Sequence, residues 1–297
     1  MVHNRIHRND YFFSKWSVDM AYVLGFTTAD GCIKDTTELA YIVHENDVDV
    51  LEYIKNAMDM DHRIYDHNYG YGFKGSGKYK RLALKSKRMK ADLELLNVTP
   101  RKTYTITLPP MIPSDMQGHY VRGYFDGDGS ISLYNNNKQL TAIVGMKTAS
   151  EVYAKQLGQL LEGNGIKTKV YNRPSKEMKY VDLYELRVAS RSIPDFGDFM
   201  YKDAPFYLER KYEKFQALYA GRFDNCLICN TKFYRKRIGG SFCEGCTKLV
   251  NNQHVNEIAS ITGIPSEVIR SACVKENVGS INYASLKELI SSYHKKI

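Results

Sequence analysis

The sequence predicts an α+β chain: two pseudo-symmetric αββαββα half-domains, then a small cysteine-knuckle module and a helical domain. Three observations carry that prediction. The stretch AYVLGFTTADGCI at Ala21–Ile33 returns in register within HYVRGYFDGDGSISL at His119–Leu133, placing Asp30 and Asp128 98 positions apart. Each copy precedes the same succession of strand-like and helix-like segments. Beyond Gly221 neither pattern continues, and four cysteines fall into two C-x-x-C pairs. A period of that length is too long for a solenoid unit and suits a duplicated small domain.

In the first half the repeated apolar segment leads into a hairpin, Cys32–Lys34 turning to Leu39–Val43. A helix over Val48–Met58, strands at Arg63–Tyr65 and Tyr79–Leu84, and a closing helix over Lys87–Leu96 follow. The second half runs in parallel. Ser130–Tyr134 turns through an asparagine cluster, a turn signal because Asn tolerates left-handed backbone, to Leu140–Val144. Next come a helix over Glu151–Leu161, strands at Lys167–Tyr171 and Leu183–Val188, and helices over Arg191–Met200 and Tyr207–Tyr219. Between the halves, Leu108–Pro113 is rich in proline, which cannot supply helix or ladder donors, so it reads as a linker. The expected domains are 1–108, 109–220, 221–250 and 251–297.

Composition narrows the partners. Apolar residues make up 43% of the 297 and charged residues 25%, as in ordinary globular chains. No apolar run is long enough to span a membrane, and the N-terminus lacks the apolar core of a secretion signal. A reducing cytoplasm, bacterial or that of a phage-infected host, is the expected compartment. The net charge of +9 suggests a polyanionic partner. Bases cluster beside aromatics at Lys78–Arg81 and again at Lys85–Lys90, which also suits a plain solvated face.

The repeated helix raises a chemical question. Gly in a helix interior costs about 1 kcal/mol relative to Ala, yet Gly25 and Ala29, and Gly123 and Gly127, stand four apart on one face. Two such faces can pack backbone against backbone. Packed side by side and pointing the same way, the helices bring Asp30 and Asp128 together at their C-terminal ends. Carboxylates there oppose both helix dipoles and each other, and a divalent cation such as Mg²⁺ resolves the conflict. A metal held this way suits phosphodiester hydrolysis. A single copy would also serve as a capping turn; two copies in register favour the metal. An EF-hand does not fit Asp126–Ser130, because Ile131 stands where that loop needs Gly and Asn137 where it needs Glu.

The pair YVLGFTTADG and YVRGYFDGDG resembles the two signature helices of the LAGLIDADG homing endonucleases in their single-chain form. The resemblance extends over Trp16–Tyr219. It implies a saddle of two four-stranded antiparallel sheets on double-stranded DNA, with the signature helices as the interface. It also implies Mg²⁺ on Asp30 and Asp128, with the Ala29 and Gly127 carbonyls as co-ligands, and cleavage leaving short 3′ overhangs. The first motif departs from the pattern with Thr28 where the second has Asp126; that acid is mostly structural in the family. Such enzymes often place a Lys late in the second strand. Lys147 fits that place as an electrostatic or water-orienting group, a phosphate contact being the other reading, and Lys102 is a weaker candidate. The implied DNA surface contains Lys34, Arg81, Lys85, Tyr134 and Arg187.

In the last quarter, Cys226, Cys229, Cys243 and Cys246 have the spacing of a closed tetrahedral Zn²⁺ site, structural and not catalytic. A redox pair is the rival, though it needs only one knuckle. Arg235, Lys236 and Arg237 between the knuckles suit phosphate contact. Val255–Arg270 resembles a helix-turn-helix, broken at Gly263 and restarted at Pro265, with Ser266 and Arg270 near the exposed face. A helical hairpin that binds nothing is the alternative. The leading function is a monomeric site-specific endonuclease with catalytic Mg²⁺ and structural Zn²⁺. Its rivals are a non-cleaving transcription regulator of the WhiA type and an intron maturase with RNA as partner.

Overall fold

The computed structural model describes residues 6–68, 77–136, 139–174, 182–219, 223–234, 241–274 and 280–293. They form two compact units, Met1–Gln216 and Ala217–Ile297. The first unit holds both half-domains. In chain order the first half comprises α1 (Val18–Asp30), β1 (Cys32–Ile33), β2 (Glu38–His44), α2 (Val48–Ala57), β3 (Tyr65–His67), β4 (Tyr79–Lys85) and α3 (Lys87–Leu95). The second comprises α4 (Gln117–Asp128), β5 (Gly129–Asn136), β6 (Gln139–Thr148), α5 (Glu151–Gly163), β7 (Thr168–Arg173), β8 (Leu183–Val188) and α6 (Ile193–Tyr201), and α7 (Glu209–Tyr219) follows. The αββαββα pattern is present twice.

Both sheets are antiparallel and share one strand order, β1-β2-β4-β3 and β5-β6-β8-β7. Alternate residues face the helices: Leu39, Tyr41 and Val43 of β2, and Ala142, Val144 and Met146 of β6, are all buried. Side-chain caps start the helices where the sequence places them. Ser17, Ser86 and Ser150 accept hydrogen bonds from the backbone N–H groups of Met20, Met89 and Tyr153.

Several boundaries differ from expectation. Strand β3 begins at Tyr65 because its register runs Tyr65 opposite Arg81 to His67 opposite Tyr79. Strand β6 continues past Val144 to Thr148, where pairing with Arg187–Tyr184 of β8 outweighs the Gly145 interruption. Near Arg191 the chain makes a 3₁₀ turn, Ser190–Ser192, before α6 starts with Pro194 in its first turn. Part of the asparagine turn after Tyr134 lies outside the described residues.

The second unit contains β9 (Phe223–Asn225) paired with β10 (Lys232–Tyr234), then α8 (Glu244–Asn251), α9 (Val255–Thr262), α10 (Ser266–Cys273) and α11 (Tyr283–Tyr293). Gly263 ends α9 in the left-handed region at φ 71°, its N–H bonded to the Ala259 carbonyl, a Gly-terminated helix end. One apolar cluster joins Cys226, Ile228 and Phe242 of the knuckle region to Ile258, Ile269, Leu286 and Ile290 of the helices. The position of the expected division at 250 falls inside α8.

Candidate active site

Helices α1 and α4 touch at backbone distance. A Cβ placed on Gly25 would stand 2.0 Å from the Tyr120 carbonyl oxygen, and one on Gly123 would stand 1.9 Å from that of Tyr22. Further along, a Cβ on Gly127 would meet the Ala29 Cβ at 2.4 Å and an Asp30 carboxylate oxygen at 3.2 Å. Contacts ascend together in both segments, so the helices run parallel and their C-terminal ends coincide.

Reciprocal hydrogen bonds reinforce the pairing. The Tyr22 hydroxyl donates to Asp126 at 3.0 Å, and the matching Tyr120 hydroxyl donates to Thr28, the counterpart of Asp126, at 3.3 Å. Asp126 is buried and also accepts from the Leu208 N–H at 3.1 Å. Burial raises its pKa to about 6 against the pull of Lys211. Between the same helices the Arg122 guanidinium is fully buried over the Tyr22 ring and donates to the Met200 carbonyl at 2.9 Å.

Asp30 and Asp128 end the two helices side by side, crowded by protein yet both exposed to solvent. Burial of the charged form pushes Asp128 up to about 6, and the neighbouring Asp30 adds to the effect. Asp30 is raised for the first of these reasons, with Lys211 and Lys102 opposing it. Those two cations answer part of the helix-dipole problem. Lys102 Nζ donates to the Ala29 carbonyl at 3.3 Å. Lys211 Nζ, itself buried, donates to the carbonyls of Phe125 (2.6 Å), Asp126 (2.7 Å), Gly127 (3.4 Å) and Gly129 (2.8 Å). Burial lowers the Lys211 pKa to about 8 and that of Lys102 in the same direction, while the nearby carboxylates oppose the loss of charge.

Lys211 was not singled out in the sequence. One signal was available there: Lys102 follows α3 in the first half much as Lys211 follows α6 in the second. Lys147 lies in β6 as expected, and its carbonyl accepts from the Tyr124 hydroxyl at 3.1 Å. The residue is exposed, opposite Glu185 in the strand register. Lys102 and Lys211 act on both acids, and Arg210 also acts on Asp30.

The other candidates are scattered over the two units. Lys34 and Arg81 both reach Glu38, at 2.7 and 2.9 Å. Lys85 and Tyr134 are exposed at strand positions, and Arg187 stands 3.0 Å from Glu185. In the second unit Arg270 is exposed on α10 and bonds Asn256 at 3.3 Å, whereas Ser266 is half-buried at the start of that helix. Arg235, Lys236 and Arg237 lie outside the described residues.

The four knuckle cysteines do converge. Their sulfurs lie within 4.8 Å of one another, with Cys229 and Cys243 3.7 Å apart, and none is in a disulfide. Tetrahedral zinc with bonds of about 2.3 Å separates its sulfurs by roughly 3.8 Å. The donor set therefore fits zinc and leaves no protein-free position.

Comparison with known proteins places the second half. Residues 115–198 match the family model of the LAGLIDADG-like domain. That segment is similar to a LAGLIDADG-like domain. The matched residues run from just before α4 into α6, and the internal repeat relates the first half to them. Among solved structures, the complex of I-DmoI with DNA and calcium is 14% identical, covering 71% of this chain and 98% of its own, at a TM-score of 0.41. The homing endonuclease I-WcaI bound to its DNA recognition sequence is 13% identical, covering 69% and 90%, at 0.45. The I-LtrWI LAGLIDADG homing endonuclease bound to target DNA is 14% identical, covering 71% and 90%, at 0.43. No curated protein matches the chain.

Proposed function

We propose that this chain is a site-specific double-strand DNA endonuclease of the homing type, with its active centre at Asp30 and Asp128. One observation carries the reading: two carboxylates side by side at the ends of parallel, backbone-packed helices, one of them in a LAGLIDADG-like domain. Burial first, and then repulsion from Asp30, raise the Asp128 pKa, as befits an acid pair that a cation would stabilise. The donors are all hard oxygens, which suits Mg²⁺. The Ala29 and Gly127 carbonyls each accept a long hydrogen bond from a lysine, and a carbonyl oxygen has a second lone pair to offer.

Asp30, Asp128 and those two carbonyls would hold the ion. Bound there, Mg²⁺ supplies Lewis-acid stabilisation of the phosphate and acidifies a coordinated water. The chain's own groups do the remaining work. Lys102 and Lys211 bring two positive charges beside the acids, favouring an anionic phosphate and stabilising negative charge that develops during cleavage. Asp126, turned toward Tyr22 and Leu208, holds the helix pair together instead of binding metal. Zinc on the four cysteines has a structural part, organising the knuckle region of the second unit. The open sheet faces, with Arg81, Lys85, Lys147 and Arg187, meet the duplex. The α9–α10 pair with Ser266 and Arg270 extends the contact, the protein acts as a monomer, and short 3′ overhangs result.

Incubation with Mg²⁺ and the intron-free allele of the host gene tests this reading. A double-strand break at one site supports it. DNA binding without breakage under those conditions assigns the chain to the non-cleaving regulators, and selective binding of intron RNA assigns it a maturase role.

A further inference from the structure

The open face of the second sheet carries a cluster whose order exceeds what plain contact with a duplex requires. Antiparallel pairing sets Lys147, Glu185 and Tyr171 in one row across β6, β8 and β7, and Gly145, Arg187 and Lys169 in the next. Arg173 shares the face, two residues beyond Tyr171 in β7. Glu185 is only 7% exposed. It accepts a hydrogen bond from Arg173 Nε at 2.8 Å, and Arg187 Nε stands 3.0 Å from its other oxygen. Burial works to raise the Glu185 pKa, but the bonds from Arg187 and Arg173 prevail and keep the carboxyl below its ordinary range. The Tyr171 ring is the platform: Lys169, Arg173 and Arg187 place their charged ends 5.2, 5.3 and 5.3 Å from its centroid.

This is an unusual way to treat arginines that only neutralise phosphate. A phosphate contact needs charge and tolerates a flexible side chain, and a buried carboxylate beside it subtracts from the attraction. Here one carboxylate holds two guanidinium groups, Arg173 by a hydrogen bond from Nε and Arg187 by an ion pair with Nε 3.0 Å away. Both terminal nitrogens of each remain uncommitted among the described residues. A guanidinium already held in place loses less conformational freedom on binding. Its planar fork matches the paired O6 and N7 acceptors of guanine, a pattern the major groove shows for no other base. Gly145, with no side chain, leaves the face low beside Arg187.

We propose that Arg173 and Arg187, held by Glu185 over the Tyr171 ring, read two guanines in the half-site that meets the second sheet. Arg173 and Arg187 determine specificity, and Glu185 is a positioning residue. The proposal rests on the DNA reading given above and deepens it to a base preference.

Selection of bound duplexes from a library randomised across the target tests it, using the full-length chain and its Arg173→Ala, Arg187→Ala and Glu185→Gln variants, each confirmed to melt like the wild type. The wild type should enrich guanine at two positions of one half-site. Each arginine variant should erase one preference, worth about 5- to 150-fold, and leave the other positions unchanged. Glu185→Gln should relax both preferences while holding or raising affinity for random DNA, because a negative charge has gone; a merely structural role would not separate these readouts. Arginine variants that weaken all sequences equally would show phosphate contacts and overturn the proposal. Wild-type binding with no guanine at either position would overturn it while sparing the nuclease reading. A wild type that binds no duplex at all removes both.

Discussion

Gly123→Ala joins stability and catalysis in one substitution. Its Cβ would stand 1.9 Å from the Tyr22 carbonyl oxygen, 2.8 Å from the carbonyl carbon and 2.9 Å from the Phe26 nitrogen. All three obstacles are backbone, so no side chain can swing aside. Restoring an ordinary contact near 3.4 Å requires α1 and α4 to separate by about 1.5 Å. Overpacking of this kind costs about 1–3 kcal/mol, and backbone obstacles put this site at the upper end. Alanine returns about 1 kcal/mol in helix propensity, leaving a net loss of roughly 2 kcal/mol. For a unit of this size that lowers the melting temperature by roughly 4–8 °C. The same displacement separates Asp30 from Asp128, and a misplacement of about 1 Å costs on the order of 100-fold in rate. Thermal melting followed by circular dichroism, paired with single-turnover cleavage, reads both effects. Gly163→Ala at the end of α5 is the control, since nothing lies within 4 Å of its added Cβ. Gly123→Ala as stable as the wild type, and as active, would refute the close-packing account of the acid pair.

Asp30→Asn and Asp128→Asn should each abolish cleavage while preserving DNA binding, read by gel shift and nicking assays; wild-type cutting by both would sink the shared site. Because the folded-state pKa of Asp128 lies above its ordinary value of 3.8, the folded protein holds the proton more tightly between about pH 4 and 6, and stability falls as pH rises through that window. Metal-free Asp128→Asn should therefore melt higher than the wild type at pH 7 and no higher at pH 4, as calorimetry at the two pH values would show. Lys211→Met should lose cleavage and about 1–3 kcal/mol of stability, because it strips the only side-chain donor from carbonyls of Phe125, Asp126 and Gly129 among the described residues; retention of both in urea titration and cleavage assays would contradict its assigned part. Zinc chelation should unfold the knuckle region and weaken DNA binding, with Mg²⁺ restored so that cleavage by Met1–Gln216 persists; an unchanged circular dichroism spectrum would count against a structural metal.

The parts whose signals are periodic or closely spaced were legible in the chain before any folding. The duplicated αββαββα order, the glycine faces of α1 and α4, the meeting of Asp30 with Asp128 and the convergence of four cysteines all follow from local spacing. Small residues four apart can only make sense against another backbone, and C-x-x-C pairs can only close on something between them. Tertiary structure decided what the chain brings back from a distance. Lys211 reaches the end of α4 from more than 80 residues away, and Leu208 holds Asp126 across a similar gap. Strand β6 extends beyond its apolar alternation because β8 pairs with it. Glu185, Tyr171 and Arg173 meet through cross-strand register, which a single strand's pattern does not specify. Burial, not composition, shifts the pKa of Asp128 upward and that of Lys211 downward. Periodicity encodes which face of an element is buried; which distant residue covers a helix end depends on where the whole chain turns.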